Sequence, residues 1–211
     1  MKEKKSAPSF LEEMETVLGT PDRQNAIGEP QLEQLQGTLC EPHFRLLQKY
    51  GTAVFCEGRV RLLNPLDWKD LGTTALRHVP VFSNFEFQPV LLGAFGQIDF
   101  INVQRGIFLT YHLFKQHVIF LEDEVAAQLD GATVFQDSLR FTDLEDYDLL
   151  DDDGDSIFQQ LSDRLGALGD TEVFALTPEL MPDNGLDIDI EKIDLLECLH
   201  ALEERPRLIA L

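Results

Sequence analysis

Four strand-like runs follow one another between residues 89 and 121, and they limit the folds that this chain can adopt. The runs are residues 89–95, 98–103, 107–114 and 118–121. Only a few residues separate them, and these connections carry Gly96, Gly106 and Gln116. Because such short connections require antiparallel neighbours, the pattern predicts an antiparallel β-meander.

Helical patterns on either side of the meander complete the predicted architecture. Both alternating sets of side chains in residues 107–114 are largely apolar, so helices should cover this strand on both faces. Residues 9–18, 42–50 and 157–168 place apolar side chains at helical spacing. Weaker helical spacing occurs at residues 122–129 and 190–202. We therefore predict an α+β fold, in which an antiparallel β-meander packs against flanking helices and a helical C-terminal module follows.

Changes in pattern and charge divide the chain into four predicted parts. These are residues 1–41 with N-terminal helices and a loop, 42–142 with the α+β module and its meander, 143–156 as an acidic loop, and 157–211 as an α-rich module packed on the first. Short runs on either side of Glu57 and Gly58 predict a hairpin in the second part. In the last part, residues 172–176 are typical of a strand and residues 178–185 of a loop.

The formal net charge of −21 is distributed unevenly along the 211 residues. Residues 1–100 contain 13 acidic and 10 basic residues, whereas residues 101–211 contain 25 acidic and 7 basic residues. Nucleic acids and anionic membrane surfaces should repel such a chain, while a basic protein should attract it. Acidity also increases solubility by itself. We expect a basic protein partner, with neither nucleic acid nor a membrane as a ligand.

The most concentrated acidity lies in residues 145–155. Its carboxylates belong to Glu145, Asp146, Asp148, Asp151, Asp152, Asp153 and Asp155. Mutual repulsion opposes burying them together unless a cation or a basic partner compensates their charge. A solvated linker, a calcium loop and a surface for a basic partner are the three interpretations of this stretch.

The calcium interpretation can be tested against the spacing that an EF-hand loop requires. Asp151, Asp153 and Asp155 match loop positions 1, 3 and 5, but Ser156 and Ser162 stand where glycine and glutamate are needed. We therefore predict no calcium site. The other two interpretations are compatible, because a basic partner can reach a solvated loop, and the seven carboxylates are our candidate partner-binding residues.

The sequence offers little to support catalysis or cofactor binding. It lacks a nucleophile elbow, a P-loop and a dinucleotide-binding glycine pattern, and its three cysteines and five histidines show no metal-ligand spacing. His112 and Lys115 interrupt the most apolar region before it reaches the roughly 18 residues of a membrane span. The first residues do not form a signal-peptide pattern. We expect a cytoplasmic protein that is not an enzyme and has no cofactor or metal.

Several short motifs resemble a known family. The triplet Tyr50-Gly51-Thr52, the turn glycine Gly58 and residues 61–68 with their Asn64-Pro65 pair are similar to the signature of bacterial GAD-like domains. Residues 93–99 resemble that family's strand turn, although Gln97 stands where an acid is usual. Residues 165–178 and 193–199 resemble the C-terminal module that accompanies it. We assign six motif residues to turns, caps and packing: Tyr50, Gly51, Gly58, Asn64, Pro65 and Trp68.

The resemblance implies an immunity protein, which is a cytoplasmic antidote to a DNase toxin delivered by type VI secretion. Such a protein binds the toxin and inhibits it directly. A nuclease must present a basic surface to phosphates, so an acidic antidote fits that role. Two alternatives remain: a small enzyme or ligand-binding domain with a pocket beside the meander, using Tyr111 and His112, and a cytoplasmic adaptor whose partner is not a toxin.

Overall fold

The computed structural model describes residues 9–120, 129–151, 153–176, 190–202 and 206–210. Its strands are β1 (Arg23–Asn25), β2 (Thr52–Phe55), β3 (Val60–Leu62), β4 (Gln88–Gly93), β5 (Gln97–Asn102), β6 (Ile107–His112), β7 (His117–Phe120), β8 (Glu172–Leu176), β9 (Ile190–Asp194) and β10 (Arg207–Ala210). Its α-helices are α1 (Phe10–Leu18), α2 (Glu29–Leu35), α3 (Glu41–Tyr50), α4 (Leu71–Leu76), α5 (Gly131–Arg140), α6 (Ile157–Leu165) and α7 (Leu195–Ala201).

A large sheet forms the centre of the described part of the chain, with eight strands in the order β1-β2-β3-β4-β5-β6-β7-β10. Neighbouring strands are antiparallel except for β7 and β10, which are parallel. The predicted meander is confirmed as β4 to β7, and the α+β class is confirmed with it. The predicted hairpin around Glu57 and Gly58 is also present, as β2 and β3.

Apolar clusters cover the sheet on both faces, as the two-sided pattern of residues 107–114 predicts. On one face, α1, α3 and α5 bury side chains such as Met14, Leu47 and Phe135 against the strands. On the other face, α4, β8 and α7 do the same through side chains such as Leu71 and Leu199. The sheet is therefore a central layer between two sets of elements.

The C-terminal part contains more strand than its helical spacing predicts. The prediction of a helix over residues 190–202 is wrong at its start. Residues Ile190–Asp194 form β9, which pairs with β8 in a separate two-stranded sheet. Asp194 sets the boundary, since its side chain accepts hydrogen bonds from the N–H groups of Leu196 and Glu197 and so begins α7. The predicted helix at 122–129 lies, apart from Leu129, outside the described residues, and so does the predicted loop at 178–185.

The segment after β3 also differs from prediction. Asn64 followed by Pro65 is a pattern typical of a helix N-terminus, but residues 65–70 form turns and α4 begins only at Leu71. Asn64 explains the turn: its Oδ1 accepts the N–H of Leu66 at 3.1 Å, while its Nδ2 donates to Asp67 at 3.0 Å. The asparagine thus stabilises a local turn and not a helix N-terminus.

Candidate functional site

The acidic segment, defined as residues 143–156, folds into two short pieces. A 3₁₀ helix spans Leu144–Tyr147, and the side chain of Asp143 caps its first turn. A tight loop follows and is closed by a bridge between Leu150 and Ser156. The carboxylates of this segment therefore stand on a defined backbone wherever the structure describes it.

Asp151 organises the loop through its carboxylate. One oxygen accepts the backbone N–H groups of Asp153 at 3.0 Å and Asp155 at 2.9 Å, and the other accepts from Gln160 at 2.7 Å. These hydrogen bonds, that from Asp155 foremost, lower the pKa of the Asp151 carboxyl. Asp151 thus stays ionised and fixes the directions of its neighbours.

Four of the predicted partner-binding residues are exposed, namely Glu145, Asp146, Asp153 and Asp155. None of the four forms an ion pair with a lysine or arginine of the described chain. Asp152 lies outside the described residues. The four carboxylates therefore leave their negative charge available to solvent or to a partner.

Asp148 differs from these residues because it is buried. One of its oxygens accepts the Ser156 hydroxyl at 2.6 Å and pairs with the guanidinium of Arg59 at 3.3 Å. The other accepts the backbone N–H of Phe158, in the first turn of α6, at 3.1 Å. The expectation of a solvated carboxylate does not fit Asp148, because its charge is compensated inside the fold.

A cavity of about 530 Å³ lies beside the meander, between strands β5 to β7 and helix α5. At its wall is Asp99, which is fully buried in β5. The Thr110 hydroxyl donates to one Asp99 oxygen at 2.7 Å, and the Tyr147 hydroxyl donates to the other. Tyr147 belongs to the acidic segment, so this hydrogen bond ties that segment to the sheet.

Burial changes the acid–base properties of this pair. It raises the pKa of Asp99 to about 6, while the hydrogen bonds from Tyr147 and Thr110 act in the opposite direction. Burial and the neighbouring Asp99 also raise the pKa of the Tyr147 hydroxyl well above its usual value. Tyr147 therefore remains a hydrogen-bond donor, and Asp99 is a buried carboxyl that can exist in either form near neutral pH.

The pocket residues suggested by the sequence, Tyr111 and His112, do not come together. They are consecutive in β6, so their side chains lie on opposite faces of the sheet. Tyr111 is buried in the cluster formed with α4 and α7. His112 lies on the other face of the sheet, where burial lowers its pKa to about 4. The prediction that these two side chains share one pocket is therefore wrong.

The motif residues lie where the chain turns. Tyr50 ends α3, and its hydroxyl donates to Glu15 at 2.9 Å. Gly51 follows with φ +64, and a Cβ there would lie 1.9 Å from the carbonyl oxygen of Asn25. Gly58 has φ +104 in the turn between β2 and β3. These positions require glycine or a buried aromatic for the fold itself.

The second half of the motif forms a junction with the C-terminal part. Arg61 is buried, and its guanidinium donates to the carbonyl oxygens of Gly169 at 2.9 Å and Asp170 at 3.2 Å. Burial lowers the pKa of Arg61 to about 10. Trp68 and Asp170 line a cavity of about 280 Å³ beside it. These residues join two distant segments, which indicates a role in the scaffold.

Two classes of site find no support in the described ranges. Within them, no cluster of three or more histidine, cysteine, aspartate or glutamate side chains is arranged to hold a metal ion. Among the helices of those same residues, none combines the length and apolar content that crossing a bilayer requires.

Asp99 is the residue that sequence reasoning overlooked as a site. It occurs in a run of apolar strand residues, where a lone carboxylate is unusual and costly to bury. That signal was present in the sequence. Two hydroxyls satisfy it, and one of them comes from Tyr147, which lies 48 residues away and is connected to Asp99 by no local pattern.

The comparisons with known proteins agree with the motifs. No curated protein matches this chain. Among solved structures, the crystal structure of Atu4351 from Agrobacterium tumefaciens matches with a TM-score of 0.70 at 20% identity, covering 90% of this chain and 86% of that one. At this identity the match shows a shared fold. The family model described as GAD-like domain matches residues 7–114, so the chain belongs to the GAD-like domain family.

Proposed function

We propose that this protein is an immunity protein of a bacterial type VI secretion system, which acts in the cytoplasm by binding and neutralising a secreted DNase toxin. The observation that carries the proposal is a set of exposed carboxylates that form no ion pair within the described part of the chain: Glu145, Asp146, Asp153 and Asp155. The GAD-like family supports it, because the resemblance of the sequence to bacterial GAD-like domains implies an antidote role.

Charge complementarity gives the proposal its mechanism. A DNase presents lysine and arginine side chains to the phosphates of its substrate. Carboxylates held on a structured loop attract that same basic surface and compete with DNA for it. The protein therefore acts by binding, without chemistry of its own, and needs neither a cofactor nor a nucleic acid.

The experiment is co-purification with a basic nuclease domain, followed by measurement of the association rate at several salt concentrations. We expect the double variant Asp153→Lys and Asp155→Lys to slow association by about tenfold and to weaken its dependence on salt. The matched control is Glu33→Lys with Asp70→Lys, because both residues are exposed in the first half of the chain and the change in net charge is equal.

Two results would argue against the proposal. If the control pair slowed association as much as the loop pair, net charge and not the acidic segment would govern the encounter. If no nuclease domain bound the unaltered protein, the immunity role itself would be wrong. A DNA-cleavage assay with the unaltered protein then measures whether binding also inhibits the enzyme.

A further inference from the structure

The cavity at Asp99 has the size of a small-molecule site. Its volume of about 530 Å³ lies within the roughly 300–1,000 Å³ that is usual for such sites. Phe108 and Ile119 line it from the sheet and Val134 from α5. Phe141 also lines it and is 84% exposed, so this ring stands at the opening.

Among the described residues, the charged groups that line the cavity are all acidic. Asp99, Asp137 and Asp146 line it, and no lysine or arginine does so among the described lining residues. Arg140 neutralises Asp137 at 3.0 Å from outside the cavity. Asp99 and Asp146 have no such partner in the described chain. The cavity is therefore electrostatically suited to a cation and unsuited to an anion.

Asp99 itself has unused capacity to accept hydrogen bonds. An ionised carboxylate offers about four lone-pair positions. Here the hydroxyls of Thr110 and Tyr147 occupy two of them. A buried carboxylate that is ionised and has no cation beside it is unfavourable, so a ligand that supplies the cation would gain a charge-assisted hydrogen bond.

We propose that this cavity binds a small organic cation, consisting of an ammonium group on an apolar or aromatic body, with Asp99 as the counter-ion. The ammonium donates to Asp99, and the body lies against Phe108, Ile119 and Val134. The rings of Phe141 and Tyr147 add aromatic surface to which a cation is attracted. This inference does not depend on the proposed immunity function.

The test uses phenethylamine as the probe and phenethyl alcohol as its neutral counterpart, titrated into the full chain by calorimetry at pH 7.5. We expect saturable binding of the amine, at least about tenfold tighter than that of the alcohol. Asp99→Asn should remove that preference. Asp153→Asn, which makes the same chemical change at an exposed site, should leave it intact.

A second variant keeps the test valid if Asp99→Asn fails to fold. Ser138 lies on the α5 side of the cavity, and Ser138→Phe fills the space without altering Asp99. It should abolish amine binding, and continued binding would overturn the proposal. Equal binding of amine and alcohol would also overturn it. So would an absence of amine binding to the unaltered protein.

Discussion

The carboxylate of Asp148 accepts a hydrogen bond from the backbone N–H of Phe158 at 3.1 Å, across the base of the acidic loop. The same carboxylate pairs with Arg59. One member of the acidic segment therefore fixes α6 to the rest of the fold, while Glu145, Asp146, Asp153 and Asp155 face solvent. The segment combines a structural carboxylate with carboxylates that are free to meet a partner.

This division predicts different effects of the same substitution at two positions. Asp148→Ala leaves the buried N–H of Phe158 and the half-buried guanidinium of Arg59 without their acceptor, so we expect a loss of about 3 kcal/mol in the free energy of unfolding. Asp153→Ala removes an exposed side chain and should change it by less than about 0.5 kcal/mol. Urea denaturation of both variants provides the measurement. Equal losses would show that Asp148 is no more structural than Asp153.

The buried imidazole of His43 should make the fold sensitive to acid. Burial lowers its pKa to about 3, and neither ring nitrogen has a hydrogen-bond partner in the described structure. Below pH 6.5 the unfolded chain binds a proton at this residue that the folded chain does not, so stability falls as the pH decreases. At pH 5, His43 therefore lowers the free energy of unfolding by about 2 kcal/mol relative to pH 7.

We expect His43→Leu to lack this loss. The measurement is the difference in unfolding free energy between pH 7 and pH 5, which removes any constant effect of repacking around the new side chain. His200→Leu is the control, because that histidine is exposed. If the two variants and the unaltered protein lost the same stability on acidification, His43 would not contribute to the acid sensitivity.

The hydrogen bond between Tyr147 and Asp99 should be visible in a titration. The pKa of Asp99 is about 6, and the donated hydrogen bond from Tyr147 holds it below the value that burial alone would give. We expect Tyr147→Phe to raise this pKa further, as followed by carboxyl NMR signals. Tyr111→Phe should leave it unchanged, because Tyr111 lies on the other face of the sheet. A midpoint near 4 in the unaltered protein would contradict the burial of Asp99.

The raised pKa of Asp99 also makes stability depend on pH, in the direction opposite to the effect of His43. Because the folded chain holds the Asp99 proton more tightly than the unfolded chain, this residue stabilises the fold at low pH. That contribution is lost as the pH rises from about 4 to about 6. Asp99→Asn should therefore flatten the pH dependence in this window, which urea denaturation at pH 4, 5 and 6 measures.

Gly51 should be far less tolerant of alanine than Gly37. Both have positive φ, which disfavours alanine by about 1 kcal/mol. A Cβ at Gly51 would also lie 1.9 Å from the Asn25 carbonyl oxygen, whereas a Cβ at Gly37 would meet no atom of the described residues within 4 Å. We expect Gly51→Ala to destabilise by more than about 3 kcal/mol and Gly37→Ala by about 1 kcal/mol. Similar denaturation midpoints for the two variants would contradict the close approach.

Local patterns predicted the parts of this fold that local interactions determine. The meander was predictable because alternation and short turns occur within residues 88–120. The β9 strand was missed because Ile190 and Ile193 also fit a helical spacing that runs into α7. Pairing with β8 decides between the two, and that information lies in residues Glu172–Leu176.

The candidate sites show the same limit. The exposure of Asp153 and Asp155 follows from their mutual repulsion, which the sequence displays directly. The burial of Asp148 does not, because Arg59 is far away in the sequence and supplies the compensating charge. Asp99 needs Tyr147 in the same way. When distant segments form the environment of a residue, that environment can be read only from the three-dimensional fold.

The parallel pairing of β7 with β10 has a consequence for how the chain folds. His117 lies opposite Arg207 and Phe120 opposite Ala210, so a strand far along the chain covers the outer edge of the meander. The antiparallel hairpins close short loops, whereas this pair closes a very long one and should form late. Until then, the open edge of β7 presents unpaired backbone groups that can capture a strand of another molecule. When folding is slow, we therefore expect the first observable effect to be aggregation through the open edge of β7.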